Sequence, residues 1–390
     1  MIKRIYSYLE LYRYRILARD GILSKIYYFI ILLFYPLIST RFFLDGKLIN
    51  HRNRDKETLG ELIKLSQAEY PELKDKKRDL IICYLRYHIH PWEYVLYNFI
   101  GQTHKQRMQW LSDADRYMCC ELTMGVEPYL CLKDKYSFYK LAKNYFKRDI
   151  LPMNTDASLH EDLDKFIEKH DRIFVKPLSG SLGRDTTIID CNQFSKGEIN
   201  KKLADMPGAW LLEEAITQAE EMSSWNPSSV NTIRIPSFRK GNATCIIQPF
   251  FRTGRKGQIV DNAGAGGILA VVNAKTGIVE SNGFDEKHQS YERHPDSGIA
   301  YKGWKIPHYD ELVKLTNEVH KSLPESFRYV AFDFALTNNG WDLIEANWGQ
   351  MVGQIAAQKG IKQEFDYWLG IIKNAMFRVL SINVETYVIC

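Results

Sequence analysis

The 390-residue chain lacks the spacings by which many enzyme and metal classes can be read. Its seven cysteines are scattered and odd in number, with no CxxC pair. A disulfide framework and a zinc ribbon are therefore excluded, and a reducing cytoplasm is the compartment that suits them. Adjacent Cys119-Cys120 fits neither a zinc knuckle nor an unstrained local disulfide. There is no G-x-S-x-G nucleophile elbow, no HExxH and no GK[ST] phosphate loop. Internal repeats and low-complexity tracts are also missing. No apolar run reaches the roughly 20 residues of a membrane-spanning helix. Neither sign of charge dominates, with 52 Lys/Arg against 47 Asp/Glu. The net charge is +5, with 45% hydrophobic and 25% charged residues, which is ordinary for a globular protein and points to no nucleic-acid partner.

What charge there is sits unevenly. Through Gly60 there are eleven Lys/Arg against five Asp/Glu, a local +6, so the remainder carries −1. The excess brackets the most apolar stretch, Ile26–Thr40, which lies between Lys25 and Arg41 and contains Pro36. The stretch starts too late for a signal peptide, and no small-residue cleavage site follows it promptly. Two readings stay open. One is a peripheral membrane anchor, with Tyr27, Tyr28 and Tyr35 at the interface. The other is a buried helix of a helical domain.

The pattern predicts an α+β protein in four segments. Residues 1–60 are helical, basic and aromatic, with possible membrane association; 61–151 form a helical domain. Residues 152–218 alternate strands with short helices, and 219–390 carry strands at 230–238, 243–251, 267–273 and 328–346. A helix over Tyr309–Leu323 lies among these strands, preceded by Pro307 and closed by Pro324. Within "LHEDLDKFIEKH", Leu163, Phe166 and Ile167 share one helical face.

The richest stretch is "VAFDFALTNNGWDLIEANWGQ". Apolar runs Tyr329–Leu336 and Trp341–Ala346 flank Asn338-Asn339-Gly340, which predicts a hairpin. A two-residue loop would set Asp333 and Glu345 on opposite faces. A three-residue loop with Gly340 in the left-handed conformation pairs Thr337 with Trp341, places Asp333 opposite Glu345, and leaves Asn347 on Glu345's face. Two carboxylates so close repel unless a cation lies between them, and magnesium takes this kind of oxygen set. The alternative is two acids and an amide on an exposed hairpin.

Upstream, "RIFVKPLSGSLGRDTTII" puts Lys176 at the end of a strand, before the small residues Ser179, Gly180, Ser181 and Gly183. Backbone N–H groups of such a loop can approach phosphate oxygens beside the lysine's charge. A glycine hairpin with no ligand is the alternative. "AWLLEEAITQAEE" is a strand ending in Glu213-Glu214, with Glu220 and Glu221 beyond. A strand end of this kind can hold an adenine by backbone groups and a ribose by a carboxylate; a plain strand–helix junction has the same look.

Taken in order, these segments resemble the ATP-grasp superfamily, and "EEAITQAE" is similar to the adenine–ribose segment of D-alanine–D-alanine ligase-like enzymes. The resemblance implies an ATP-grasp fold, two α+β subdomains clasping ATP, behind an N-terminal helical region. It implies that Glu213 meets the adenine amine, that Glu214 and Ile216 offer backbone groups to the adenine edge, and that Glu220 binds the ribose. It assigns Lys176 to the phosphates and Asp333, Glu345 and Asn347 to magnesium. A second ATP lysine is expected in "CLKDKYSFYKLAK", with Lys135 ahead of Lys140 and Lys143. From about Pro91 to about Gly360, segments such as "PWEYVLYNF", "SVNTIRI" and "YKGWKIPHYDELVKL" look like the sugar-transfer-associated ATP-grasp proteins, related to α-L-glutamate ligases and linked with capsular polysaccharide biosynthesis. Ala219 stands where that group usually has His, and Arg184 follows the loop where glycines are usual.

The implied activity is a cytoplasmic, ADP-forming carboxylate–amine ligase using ATP and Mg2+ through an acyl phosphate, with a uronic acid, nascent glycan or amino acid as the carboxylate and an amino acid or amino sugar as the amine. Alternatives are a kinase on the same fold and a membrane-associated scaffold. Arg234, between Ile233 and Ile235, is the candidate catalytic cation beside Lys176; Asn231 points to the opposite side of a regular strand. Asp261–Gly267 reads as a mobile substrate loop or a bulge. His88 and His90 lack the partners a zinc site needs. His294-Pro295-Asp296 reads as a substrate element or a surface turn.

Overall fold

In the computed structural model, residues 14, 21–38, 58–153, 160–178, 185–206, 208–262, 264, 266–285, 289–349 and 352–371 are described. The described residues up to Gly125 and from Ala357 onward form one compact unit, and those from Val126 to Ala356 a second.

The first unit is helical. Its helices include Ile22–Ile38, Leu59–Glu69, Lys77–Tyr87, Pro91–Leu96, Asp113–Met124 and Lys362–Trp368. The helix Leu59–Glu69 starts at a capping box, Thr58 Oγ1 accepting from Glu61 N and Glu61 from Thr58 N. Gly360 lets the returning chain come close, because a Cβ there would lie 2.0 Å from Gln109 O.

The helix Ile22–Ile38 has one buried side and one exposed apolar side. Ser24 and Ile31 are buried. Arg86 lies over the Tyr28 ring and Arg78 over the Tyr35 ring, at 5.3 Å each. At 100° per residue the opposite side carries Ile22, Ile26, Phe29, Leu33 and Leu37, all exposed. Among the described residues no helix is long and apolar enough to cross a membrane.

Two features outside the strands are structural. The His88 Nδ1 is 2.6 Å from Asp115, and His90 caps the helix Pro91–Leu96 with Glu93. Cys119 and Cys120 are buried, and no disulfide is formed among the described residues.

The second unit contains two antiparallel sheets. In the first, β1 (Ile150–Met153), β2 (Arg172–Pro177), β3 (Thr187–Asp190) and β4 (Trp210–Glu214) run in the order β1-β4-β2-β3. The helices His160–Lys169 and Lys196–Ala204 cover it, and Leu163, Phe166 and Ile167 pack on Ile173, Val175 and Leu212 as their spacing predicts. The second sheet holds β5 (Thr232–Lys240), β6 (Ala243–Ile246), β7 (Phe250–Thr253), β8 (Ile268–Val271), β9 (Gly283–Phe284), β10 (Ser290–Tyr291), β11 (Tyr329–Thr337) and β12 (Gly340–Trp348). Its order is β10-β9-β8-β7-β5-β11-β12, with β6 also on β5. The helix Tyr309–Ser322 buries Leu312, Val313 and Val319 against this sheet's core.

Two expectations are corrected. The single strand predicted over 243–251 is two, because Gln248 takes a left-handed φ of 46° and Pro249 follows it. The hairpin closes with two loop residues rather than three: Thr337 pairs with Gly340, whose φ is 86°. An unbroken ladder from that pair would set Asp333 opposite Ile344. A register shift between Asp333 and Phe334 makes Ile344 the extra residue of a bulge, and Asp333 pairs with Glu345 after all.

Candidate active site

β11, β5 and β7 lie side by side, and their paired residues supply the core of the site. Asp333 is paired with Arg234, and Thr232 with Arg252. Arg234 grips Asp333 through both ends: Nε donates to Oδ1 at 2.5 Å, and Nη2 donates to Oδ2. Arg252 Nη1 donates to the same Oδ2 at 2.9 Å. Its Nη2 donates to Asp261 Oδ1 at 2.7 Å, and the Thr232 hydroxyl donates to Asp261 Oδ2 at 2.5 Å. Asp261 is buried, and burial raises its carboxyl above the usual range against the pull of Arg252. These bonds anchor the first residue of the segment Asp261–Gly267. Gly267 approaches so closely that a Cβ would stand 2.1 Å from Asp261 O. Ala263 and Ala265 lie outside the described residues.

Glu345 completes the row. Arg234 Nη2 is 3.8 Å from its Oε1, and Asn347 Nδ2 donates to that oxygen at 3.4 Å. Burial would raise the Glu345 carboxyl, yet Lys176, Lys135, Arg234 and Arg252 outweigh it and hold it down at about 2. The predicted trio Asp333, Glu345 and Asn347 therefore does converge. The trio does not share its load evenly. Asp333 serves two arginines, whereas Glu345 is ionised and takes no hydrogen bond shorter than 3.4 Å among the described residues. A charged carboxylate with little competing for its oxygens, beside a second carboxylate and an amide, fits a hard divalent cation.

The first sheet adds the lysines. Lys176 is buried on β2, its Nζ 2.5 Å from Glu213 Oε1 on β4. Lys135 opens the helix Lys135–Ala142; its N donates to Leu178 O and its Nζ to Pro177 O, both at 3.2 Å. Burial pulls the Lys135 ammonium below its ordinary value, with Glu345 pulling the other way. Lys140 lies instead over the Tyr136 ring, and Lys143 is exposed. Of the three candidate lysines Lys135, Lys140 and Lys143, it is Lys135 that joins Lys176. The loop residues Ser179, Gly180, Ser181 and Gly183 lie outside the described residues.

Glu213 is buried between Lys176 and Arg148, whose Nε is 3.0 Å from Oε2. Burial would raise its carboxyl; Arg148 and Lys176 bring it below the usual range. Glu214 is half-exposed, Ile216 follows on the link out of β4, and Glu220 is exposed at the start of the short helix Glu220–Ser223. Asn231 is internal, donating to Met222 O at 2.8 Å and to Asn226 O at 3.0 Å. His294 is also internal, 2.9 Å from Gly254 O, with Asp296 held by Arg255 at 2.8 Å.

Sequence reasoning missed Arg148 and Arg252. Arg252 carries the signal that identified Arg234, an arginine flanked in a strand by Phe251 and Thr253. Arg148 follows a run of lysines and precedes a four-residue strand, and no local pattern marks it.

A family model described as sugar-transfer associated ATP-grasp matches residues 125–367. No curated protein matches the chain. Among solved structures, similarity is found to D-alanyl-alanine synthetase A from Vibrio cholerae O1 biovar eltor, at 13% identity over 61% of this chain and 60% of that one, with a TM-score of 0.34. N5-carboxyaminoimidazole synthetase from Staphylococcus aureus complexed with ADP gives 13% identity, 65% and 56% coverage and a TM-score of 0.38. D-alanine–D-alanine ligase from Bacillus anthracis complexed with ATP gives 13%, 66% and 68%, and 0.35. The chain spans about 60% of the length of the first of these.

Proposed function

Since the chain belongs to the sugar-transfer associated ATP-grasp family, whose fold it has, we propose that it is an ADP-forming ligase joining a carboxylate to an amine in surface (capsular) polysaccharide biosynthesis. The observation that carries this reading is the gathering of Lys135, Lys176, Arg234 and Arg252 around a Glu345 carboxylate that stays charged. Four cations beside one ionised acid suit a polyanionic nucleotide with a hard metal ion.

In this reading Glu213, Glu214 and Ile216 hold the adenine, Glu220 the ribose, and Lys135 and Lys176 the phosphates, together with Ser179, Gly180, Ser181 and Gly183. Asp333, Glu345 and Asn347 would hold magnesium, which when bound neutralises phosphoryl oxygens. Arg234, fixed by Asp333, presents its guanidinium to the γ-phosphoryl group. A substrate carboxylate oxygen attacks the γ-phosphorus in line, the bond to the β-phosphate oxygen breaks, and ADP leaves with that electron pair. The amine then attacks the acyl carbon; phosphate departs, and the amine proton goes to solvent. No protein nucleophile is required, because positioning and charge carry the catalysis. The acid is a uronic acid or nascent glycan, the amine an amino acid or amino sugar.

The reading places the enzyme in the cytoplasm, peripheral to the inner face of the membrane. The exposed apolar side of the helix Ile22–Ile38 and the local +6 charge support that placement. Anionic vesicles should sediment the protein and neutral ones should not; equal recovery with both would remove the charge from the proposal, and recovery with neither would remove the membrane.

The deciding experiment is ATP consumption with Mg2+ against pools of acids and amines. ADP and free phosphate, dependent on both an acid and an amine, is the expected result. ADP with the phosphate kept on one substrate would mean a kinase, and AMP would overturn the mechanism.

A further inference from the structure

Arg148 is a fully internal arginine that spans both sheets of the second unit. Its Nε donates to Glu213 Oε2 on β4 at 3.0 Å. Its Nη1 donates to Asp342 Oδ2 at 2.9 Å and to Leu343 O at 2.7 Å on β12, and its Nη2 donates to Ile344 O at 3.1 Å. The aromatic ring of Phe146 lies 5.1 Å from the guanidinium carbon. The two carbonyls it takes belong to the residues at which the β11–β12 ladder is interrupted. A bulge leaves backbone groups without their regular ladder partners, so it persists where something else satisfies them. Here the guanidinium does so, and the bulge is what sets Glu345 opposite Asp333.

We propose that Arg148 is a positioning residue that ties the seat of the nucleotide base to the register of the metal carboxylates. The inference rests on the nucleotide reading of Glu213, Glu345 and Asp333 given above. One planar guanidinium fixes Glu213 at one end and the bulge at the other. A shift of either end therefore moves the other, and the free energy of filling one seat is felt at the second. Lysine offers one ammonium in place of the planar fork of donors and cannot bridge the same four acceptors.

The test uses adenosine, which has no phosphate through which a metal could bridge to the base. In the wild-type protein Mg2+ should tighten adenosine binding by about 5-fold or more, and adenosine should tighten Mg2+ by the same factor. Arg148→Lys should keep the fold, judged by circular dichroism, and reduce that factor to about 1. Asp342→Asn, which weakens one anchor of the guanidinium, should reduce it in part and serves if Arg148→Lys does not fold. Adenosine binding indifferent to Mg2+ in a wild-type protein that binds MgATP would overturn the role of Arg148 and leave the ligase reading standing. Retention of the full factor in Arg148→Lys would overturn it equally. Failure of ATP itself to bind would sink the ligase reading instead.

Discussion

Two glutamates with nearly the same burial behave in opposite ways. Glu93, in the helical unit, is 0% exposed, and Glu213, in the sheet unit, 3%. Burial drives the Glu93 carboxyl up to about 8, with Asp113 adding to the effect; the backbone N–H groups of His90 and Asp113 do not offset it. Asp366 in the same unit rises to about 6, because burial outweighs Lys362. Glu213 faces the same burial and ends below its usual range, because Arg148 and Lys176 meet it directly. The difference is the supply of cations. In the helical unit a carboxyl can be neutral and still serve as a hydrogen-bonding post. At Glu213 and Glu345 the sheet unit keeps an acid charged out of water, which is costly and makes sense where charge is used.

The sharpest way to break this contrast is Glu345→Gln. It removes the charge that four cations hold while keeping the shape. Mg2+-dependent ATP turnover should fall by about 100-fold or more while the fold, judged by circular dichroism, is kept; turnover at the wild-type rate would remove Glu345 from the metal set. Lys176→Met comes next. It leaves Glu213 to Arg148 alone, moving it toward the situation of Glu93, and should weaken ATP binding by about 10-fold or more, read by calorimetry. Unaltered ATP affinity would show that Lys176 is only the counter-ion of Glu213.

A pH series sharpens the same contrast through stability. The folded Glu93 carboxyl titrates near 8, far above its unfolded value of 4.5, so the native state holds a proton the unfolded state has lost. Its contribution is full below about 4.5 and is lost as pH rises toward 8, with a slope of on the order of 1 kcal/mol per pH unit. Asp366 acts with the same sign, between its ordinary 3.8 and about 6. Glu345 has the opposite sign: its contribution is full above about 4.5 and is lost as pH falls toward 2. The urea midpoint should therefore decline on both sides of about pH 4.5; a midpoint that climbs steadily from pH 5 to 8 would contradict the Glu93 assignment.

The smallest effect separates the two sides of the helix Ile22–Ile38. Leu33→Ser, on the exposed side, should change stability by less than about 0.5 kcal/mol. Ile31→Ser, on the buried side, should cost several times more. Equal costs, measured by urea denaturation, would mean that the exposed side is covered in solution.

Much of this was legible in the order of residues. Alternation along β11 and β12 put Asp333, Glu345 and Asn347 within reach of one another, and the apolar strand before Lys176 marked the lysine. The route to the first result was nevertheless wrong. The three-residue loop that brought Asp333 opposite Glu345 is a two-residue loop followed by a bulge at Ile344. Strand alternation determines which residues share a face only once the register is known, and a bulge far from the turn leaves no mark in that alternation.

The sequence by itself determined the elements, the apolar faces and the side chains that carry the charge, because period and residue type act locally. Only the tertiary structure decided which charges meet. Arg148 lies about 65 residues before Glu213 and about 195 before Leu343, yet one guanidinium reaches both. Arg252 became part of the site when β7 was laid beside β5. Whether a buried acid is neutral, as Glu93 is toward neutral pH, or charged, as Glu213 is, depends on cations brought to it across space. Nothing in the neighbourhood of either residue along the chain carries that information.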